Sequence, residues 1–455
     1  MFVNYCELSP IITLTERSGE LNRVNLLSDP TKRRWLGWGA LGSVFLLVNI
    51  HRLSTAVLSE QLTIDFSISA TQLGTLHASF FVVYALVQIP SGVLADRYGP
   101  RYLGSIGAVV LSLGAIGFTA SNGYLTATIS RAFIGLGSGV IFISVLRFCA
   151  NWYRVDEFAT MTGLTAGIAG TGAIIATTPL AVVVERLGWR PTVFSLALIG
   201  FAAALAVFLI ARQSPTTAGL DPIENVPEQP SVTFSQTGRF LKTLARDLDQ
   251  WLLSITFFAG QGTVLTVIGL WGVPYLISVY GLNVTTASYY TLFGSIGILI
   301  GGPAVGWLSD RIEQRLRPMI VGYGVFLLVL LIIPIVGTPP LFIIALIYFA
   351  IGCCIGVTLL ALSVIKERYP AEASGVATGV VNGAGFFGAT VLPMTMGAAV
   401  DSYRTGDIVA GTVVYTELGY RIAFGLTAAV VFLAFCSTVW LYLRERDPST
   451  SQVAG

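Results

Sequence analysis

The sequence predicts an all-α membrane protein whose twelve transmembrane helices form two six-helix parallel repeats. Three observations carry that reading. Of the 455 residues, 54% are hydrophobic and only 11% charged, far from the balance of a water-soluble domain. Apolar runs of about 20 residues, each long enough to cross about 30 Å of hydrocarbon, recur along the chain. A short polar motif recurs at a fixed distance. Gly92-Val-Leu-Ala-Asp96-Arg97-Tyr-Gly99-Pro100-Arg101 lies between two apolar runs, and a degenerate copy, Gly306-Trp-Leu-Ser-Asp310-Arg311 followed by Arg315, lies 214 residues later between two others.

In chain order, residues 1–34 are polar, carry charges of both signs and lack an apolar stretch with a small-residue cleavage site, so they are expected to be a cytoplasmic tail without a signal peptide. Six spans are expected at 35–59, 70–94, 102–121, 123–147, 160–184 and 190–211, making residues 35–211 an N-terminal bundle. Residues 212–249 read as a cytoplasmic linker, since Ser214-Pro215, Asp221-Pro222 and a Pro-Glu-Gln-Pro run break regular structure. From Val232 to Asp249, apolar residues alternate with Arg239, Lys242 and Arg246 at helical spacing, which predicts an amphipathic surface helix. The remaining spans are expected at 251–279, 286–308, 318–336, 340–365, 374–399 and 420–443, so residues 250–444 form the C-terminal bundle and 445–455 a cytoplasmic tail. Gly269, Pro274 and their neighbours combine helix-weakening residues in the seventh span, which predicts a local bend there.

The duplication extends beyond one motif. Thr162-Gly163, Gly167, Gly172 and Glu185 match Thr378-Gly379, Gly383, Gly388 and Asp401 at an offset of 216 residues. Ile134-Gly135 and Gly139-Val140 match Ile351-Gly352 and Gly356-Val357 one residue further on. An even number of spans puts both termini on one side. Twenty of the Lys and Arg residues fall on that side, and only Arg186, Arg190, Arg404 and Arg421 on the other, so the positive-inside rule assigns the termini and linker to the cytoplasm of a multi-pass protein of the cell (inner) membrane. The five cysteines show neither metal-ligand nor disulfide-framework spacing.

These residues resemble the major facilitator superfamily of secondary transporters over residues 35–445. Gly92, Leu94, Asp96, Arg97, Gly99 and Arg101 match its signature between spans 2 and 3, with Pro100 in place of a common base. Arg131, Gly135, Gly137 and Gly139 match a second signature in span 4. The copy at 306–315 has Glu313 where the second glycine would stand. The resemblance implies alternating access, with Asp96, Arg97, Arg101, Arg131, Asp310 and Arg311 as gating residues and Asp96 facing the start of span 11. The Pro-Gly pair of many antiporters is missing from span 5, which reads Gly167-Ile-Ala-Gly170-Thr-Gly172. Close helix packing accounts for the span glycines before any function does.

Ionisable groups inside spans are costly and therefore informative. Arg52 beside His51 in span 1, Arg131 in span 4 and His77 in span 2 are the few in this chain, and no Asp or Glu sits near a span centre. His77 reads as a satisfied polar group between helices. An unpaired Arg52 in a central cavity implies an anion arriving from solution. The segment Asn49-Ile-His51-Arg52-Leu-Ser54 resembles, in part, the first span of the superfamily's anion:cation symporters, with His51 where those carry an acid. Tyr84, Gln88, Gln261, Trp271, Tyr275 and Asn382 are the candidate residues that would complete the substrate pocket with Arg52 and His51.

The expected function is secondary active transport of a small solute, most readily an organic anion, coupled to protons and carried out by a monomer in the lipid bilayer. No cofactor, metal site or nucleic-acid partner is expected, and no catalytic set of nucleophile, base and orienting group is visible. An exporter of drugs or metabolites with the same fold is the alternative, although one handling cations would want an acid in its cavity. A non-transporting membrane sensor would want a signalling domain larger than the linker.

Overall fold

The computed structural model describes residues 29–223, 226, 234–409 and 412–446; most of the expected tails and the Pro-rich part of the linker lie outside them. Twelve helical spans are present. Span 1 runs from Pro30 to Phe66 with a break at Ser54. Spans 2 and 3 form one helical stretch, Ala70–Thr119, turned at Gly99. Span 4 covers Tyr124–Trp152, span 5 Val155–Ile175 with Thr178–Leu187, and span 6 Trp189–Ile210. Span 7 covers Leu248–Tyr280, span 8 Val284–Arg311, span 9 Leu316–Val336, span 10 Leu341–Arg368, span 11 Ala371–Ser402 and span 12 Glu417–Arg446. The face bearing Pro30, Gly99 and Arg446 is called here the linker face. The other carries an antiparallel pair of strands, β1 (Arg404–Val409) and β2 (Thr412–Tyr415), and is called the hairpin face.

Local chemistry explains where the helices turn. Gly99 takes φ +75°, a conformation that costs glycine little, and Pro100 follows as a helix starter. Its counterpart in the second copy, Glu313, adopts φ +51° despite its side chain. The expected bend in span 7 is a π-helical turn at Val267–Trp271. Pro274 lacks the N–H that would bond back into this turn, and the wider turn absorbs the mismatch. In the linker the surface helix covers Phe234–Leu244, with Leu244 buried and Arg239 and Lys242 exposed.

The repeat is visible as geometry. A Cβ on Gly135 of span 4 would stand 2.2 Å from the Phe80 carbonyl of span 2, and one on Gly352 of span 10 would stand 2.0 Å from the Gly294 carbonyl of span 8. Both contacts recur some 214 to 217 residues apart. Only glycine allows backbones so close, and in lipid such packing replaces the hydrophobic drive that water would supply.

The first six spans and the last six meet mainly towards the hairpin face. Span 2 lies so near span 11 that a Cβ on Gly74 would be 2.4 Å from the Pro393 carbonyl, and one on Gly170 of span 5 would be 2.4 Å from Leu299 of span 8. Towards the linker face both seams open. Gly163 and Gly167 share a helix face with Gly170, yet an added Cβ on either would meet nothing within 4 Å, and the same is true of Gly92, Gly306, Gly375, Gly379 and Gly383. Between spans 2 and 11 the ring contacts of the described residues run no further than Tyr84 on Phe386. The cleft therefore widens from mid-membrane to the linker face.

Candidate functional site

Arg52 sits at the apex of that cleft. The Ser54 break ends the first part of span 1 just after it, so His51 and Arg52 occupy a last helical turn, where free carbonyls favour cations. The guanidinium of Arg52 lies 5.0 Å from the ring of Tyr84 in span 2 and 5.2 Å from that of Phe386 in span 11. The two rings themselves are 4.4 Å apart, so aromatic groups from both halves of the chain hold the cation. One terminal nitrogen donates to Asn49 Oδ1 at 3.3 Å, and Nε has no hydrogen-bond partner. Among the described residues no carboxylate stands within ion-pair distance of Arg52. A guanidinium with spare donors and no counter-charge can bind a carboxylate, nitrate or phosphate group through paired N–H contacts.

Other expected pocket residues lie within a turn of these contacts along the chain or pack beside them. Gln88 lies one helical turn from Tyr84, is buried and leaves Nε2 without a partner. Asn382, half-buried, lies one turn before Phe386. Gln261 of span 7 packs beside Gly385, the residue before Phe386 in the chain. His51 is buried, and its Nε2 also lacks a partner.

Arg131 is bonded to span 1 through one terminal nitrogen, while its Nε, like that of Arg52, has no partner. One of its nitrogens donates at 2.6 Å to the His51 carbonyl and at 2.6 Å to Thr55 Oγ1, and Ser54 Oγ adds a bond to the same carbonyl. The arginine fills the acceptor that the span 1 break exposes, and the rings of Phe80 and Phe118 cover it.

Two of the expected pocket residues lie elsewhere. Tyr275 is fully buried, and its hydroxyl donates to the Gly337 carbonyl at 2.7 Å amid the rings of Tyr280, Tyr420 and Phe424. It anchors the loop between spans 9 and 10. Trp271 donates from Nε1 to the Pro393 carbonyl at 3.1 Å and lines a small recess of about 90 Å³ on the hairpin side. His77, expected to be a satisfied group, has a hydrogen-bond partner on neither ring nitrogen and packs on Phe81 near Gly269.

The charged motifs cluster at the linker face. Asp96 pairs with Arg147 of span 4 at 3.1 Å. Arg101 donates to the Phe208 carbonyl at 2.8 Å and stacks on that ring. Arg97 lies over Tyr98, and Arg311 over Trp307. Asp310 pairs with Arg315, which also reaches Glu367 at 3.1 Å. Phe386 and Asn49 are the site residues that sequence reasoning missed. Asn49 stood in the quoted segment without a role, while Phe386 carried a usable signal in its place one turn after Asn382 on a glycine-rich span.

Comparisons with known proteins bear on the fold and the family. The hexuronate transporter of Bacillus subtilis (strain 168) is 25% identical over 253 residues, which are 55% of this chain and 58% of the transporter, so the match spans less than two thirds of that relative. A "probable nitrate/nitrite transporter" of Mycobacterium tuberculosis is 28% identical over 351 residues, 76% of this chain and 84% of that protein. Among solved structures, a bacterial homologue of the human lysosomal transporter Spinster, in an inward-facing and unoccupied conformation, superposes with a TM-score of 0.71 at 17% identity, covering 90% of this chain and 97% of its own. The family model described as the Major Facilitator Superfamily matches residues 39–393. With twelve spans, a repeated fold and a family match over most of its length, the chain belongs to the major facilitator superfamily and is a membrane transporter, not an enzyme.

Proposed function

We propose that the protein carries a small organic anion across the membrane by alternating access, with Arg52 binding the anionic group and a proton as the coupling ion. The observation that carries this reading is the buried guanidinium of Arg52, which lies against one ring from each half and lacks a counter-charge among the described residues. Gln88, Gln261 and Asn382 would select the rest of the solute. His51 is the proposed proton site, since an anion held on the adjacent Arg52 attracts a proton to it and releases that attraction on leaving. The names of the two relatives, for hexuronate and for nitrate or nitrite, support an anionic cargo.

The excess of twenty bases over four supports a cytoplasmic linker face, so the cleft described here opens to the cytoplasm. The protein would work as a monomer, each copy holding a complete cleft between its halves. The test is uptake into proteoliposomes of a panel of hexuronates, nitrate, nitrite and uncharged sugars, with and without an inward proton gradient. Anion uptake that rises with the gradient is expected. Uptake confined to cations or neutral solutes would refute the anion assignment, and gradient-independent anion uptake would refute the proton coupling.

A further inference from the structure

We infer that Asp401 and, more weakly, Glu185 are paired latches that hold the hairpin face shut, each an acid at the end of the fifth span of one half gripping the start of the second span of the other half. Asp401 is at the end of span 11. Its Oδ1 accepts from the Ala70 N–H at 3.0 Å, and its Oδ2 accepts from the Thr71 N–H at 2.7 Å and from Ser69 Oγ at 2.8 Å. Thr71 Oγ1 donates to Oδ2 as well. These donors form the first turn of span 2, whose N–H groups have no partner within the helix and whose dipole favours a negative charge.

The grip is not needed to form span 2. Ser69 and Gln72 already make a capping box, with the Ser69 N–H donating to Gln72 Oε1 at 2.9 Å and the Gln72 N–H to Ser69 Oγ at 3.3 Å. Asp401 adds bonds that exist only while the two halves touch. Tyr415 of β2 supports them, its hydroxyl accepting from the Ala70 N–H at 2.9 Å. Burial, and then the charge of Asp401, push that hydroxyl up to about 12, so it stays neutral beside the carboxylate.

The second latch follows from the duplication. Shifted by 216 residues, Asp401 becomes Glu185 and Ser69 becomes Thr285. Glu185 at the end of span 5 accepts from Thr285 Oγ1 in the first turn of span 8 at 2.6 Å. Here too a local residue caps the helix independently, Asn283 accepting from the Thr286 N–H at 2.7 Å. Thr178 and Ser288 meet in the same seam at 3.2 Å. Four donors on Asp401 against one on Glu185 make the span 2–11 seam the stronger. The latches set how much of the time the hairpin face is closed, whatever the solute.

The test uses the purified full chain without substrate, its native cysteines replaced, carrying spin labels at Thr126 and Phe342. Both positions are exposed at the hairpin-face ends of spans 4 and 10. Asp401→Asn sets an amide N–H against donors, and a longer-distance population is expected to rise about tenfold or more, as the loss of charged hydrogen bonds implies. Glu185→Gln should give a smaller rise. If Asp401→Asn does not fold, the pair Ser69→Ala and Thr71→Val removes the hydroxyl donors and should shift the distances the same way. Distributions unchanged in every variant that folds would overturn the latch. A larger shift from Glu185→Gln than from Asp401→Asn would overturn the ranking.

Discussion

Replacing Arg52 by lysine keeps the charge and removes the shape, and so isolates what the guanidinium contributes. The structure gives the terms. Lysine cannot offer paired N–H donors to an oxyanion, a loss of about 1.5 to 3 kcal/mol for a hydrogen bond to a charged group. It also gives up the contact of the guanidinium with the adjoining rings of Tyr84 at 5.0 Å and Phe386 at 5.2 Å, for which about 0.5 to 1 kcal/mol is a fair allowance. The sum, about 2 to 4 kcal/mol, corresponds to a rise of roughly 30- to 1000-fold in Kd or KM for the anion. Concentration-dependent uptake into proteoliposomes, or heat stabilisation of the purified protein by the anion, reads it directly. A change of less than threefold for Arg52→Lys would show that the guanidinium does not hold the anion, despite its missing counter-charge.

Four further outcomes are expected. Histidine-to-glutamine replacement at His51 should flatten the pH dependence of uptake while leaving anion affinity near wild type at the alkaline end; an unaltered pH profile would remove His51 from coupling. Gly74→Ala puts a Cβ 2.4 Å from the Pro393 carbonyl, so uptake should fall at least about tenfold with the hairpin face prised apart, whereas Gly92→Ala, with nothing within 4 Å, should keep or raise the melting temperature and still slow uptake if the linker face closes on it; full activity in Gly92→Ala would mean that it does not. Tyr275→Phe loses the bond to Gly337, so stability should drop by about 1 kcal/mol with substrate affinity intact, and a loss of affinity would return Tyr275 to the pocket. Reporter fusions after Ala218 and after Leu443 should both report the cytoplasm, and a signal from the other side for either would reverse the topology.

The fold was readable because spanning helices leave a coarse signal. Every apolar run marked a real helix, but the helices overrun the runs. The span expected at 420–443 extends over Glu417–Arg446, since charged ends remain helical where they cap the helix or reach water. The Ser54 break left no trace in the sequence around it, because it is stabilised by Arg131 from another helix. Arg52 stood out as a charge in an apolar run. Trp271 and Tyr275 were assigned to the pocket by residue type, yet their polar atoms satisfy carbonyls at Pro393 and Gly337 that only the folded chain brings near. Phe386 was passed over for the opposite reason, as one ring among many until its contact with Arg52 set it apart.

The hairpin between spans 11 and 12 belongs to the second half of the chain, but through Tyr415 it rests on the first residues of span 2. Together they form a composite surface that exists only while the two halves meet at this face. An antibody fragment or selected binder that grips β1, β2 and residues 69–71 at once would recognise a conformation rather than a sequence. On the topology and cycle proposed above, it would bind from outside the cell and hold the carrier open to the cytoplasm without entering the solute path, and its affinity would measure how often the carrier visits that stage.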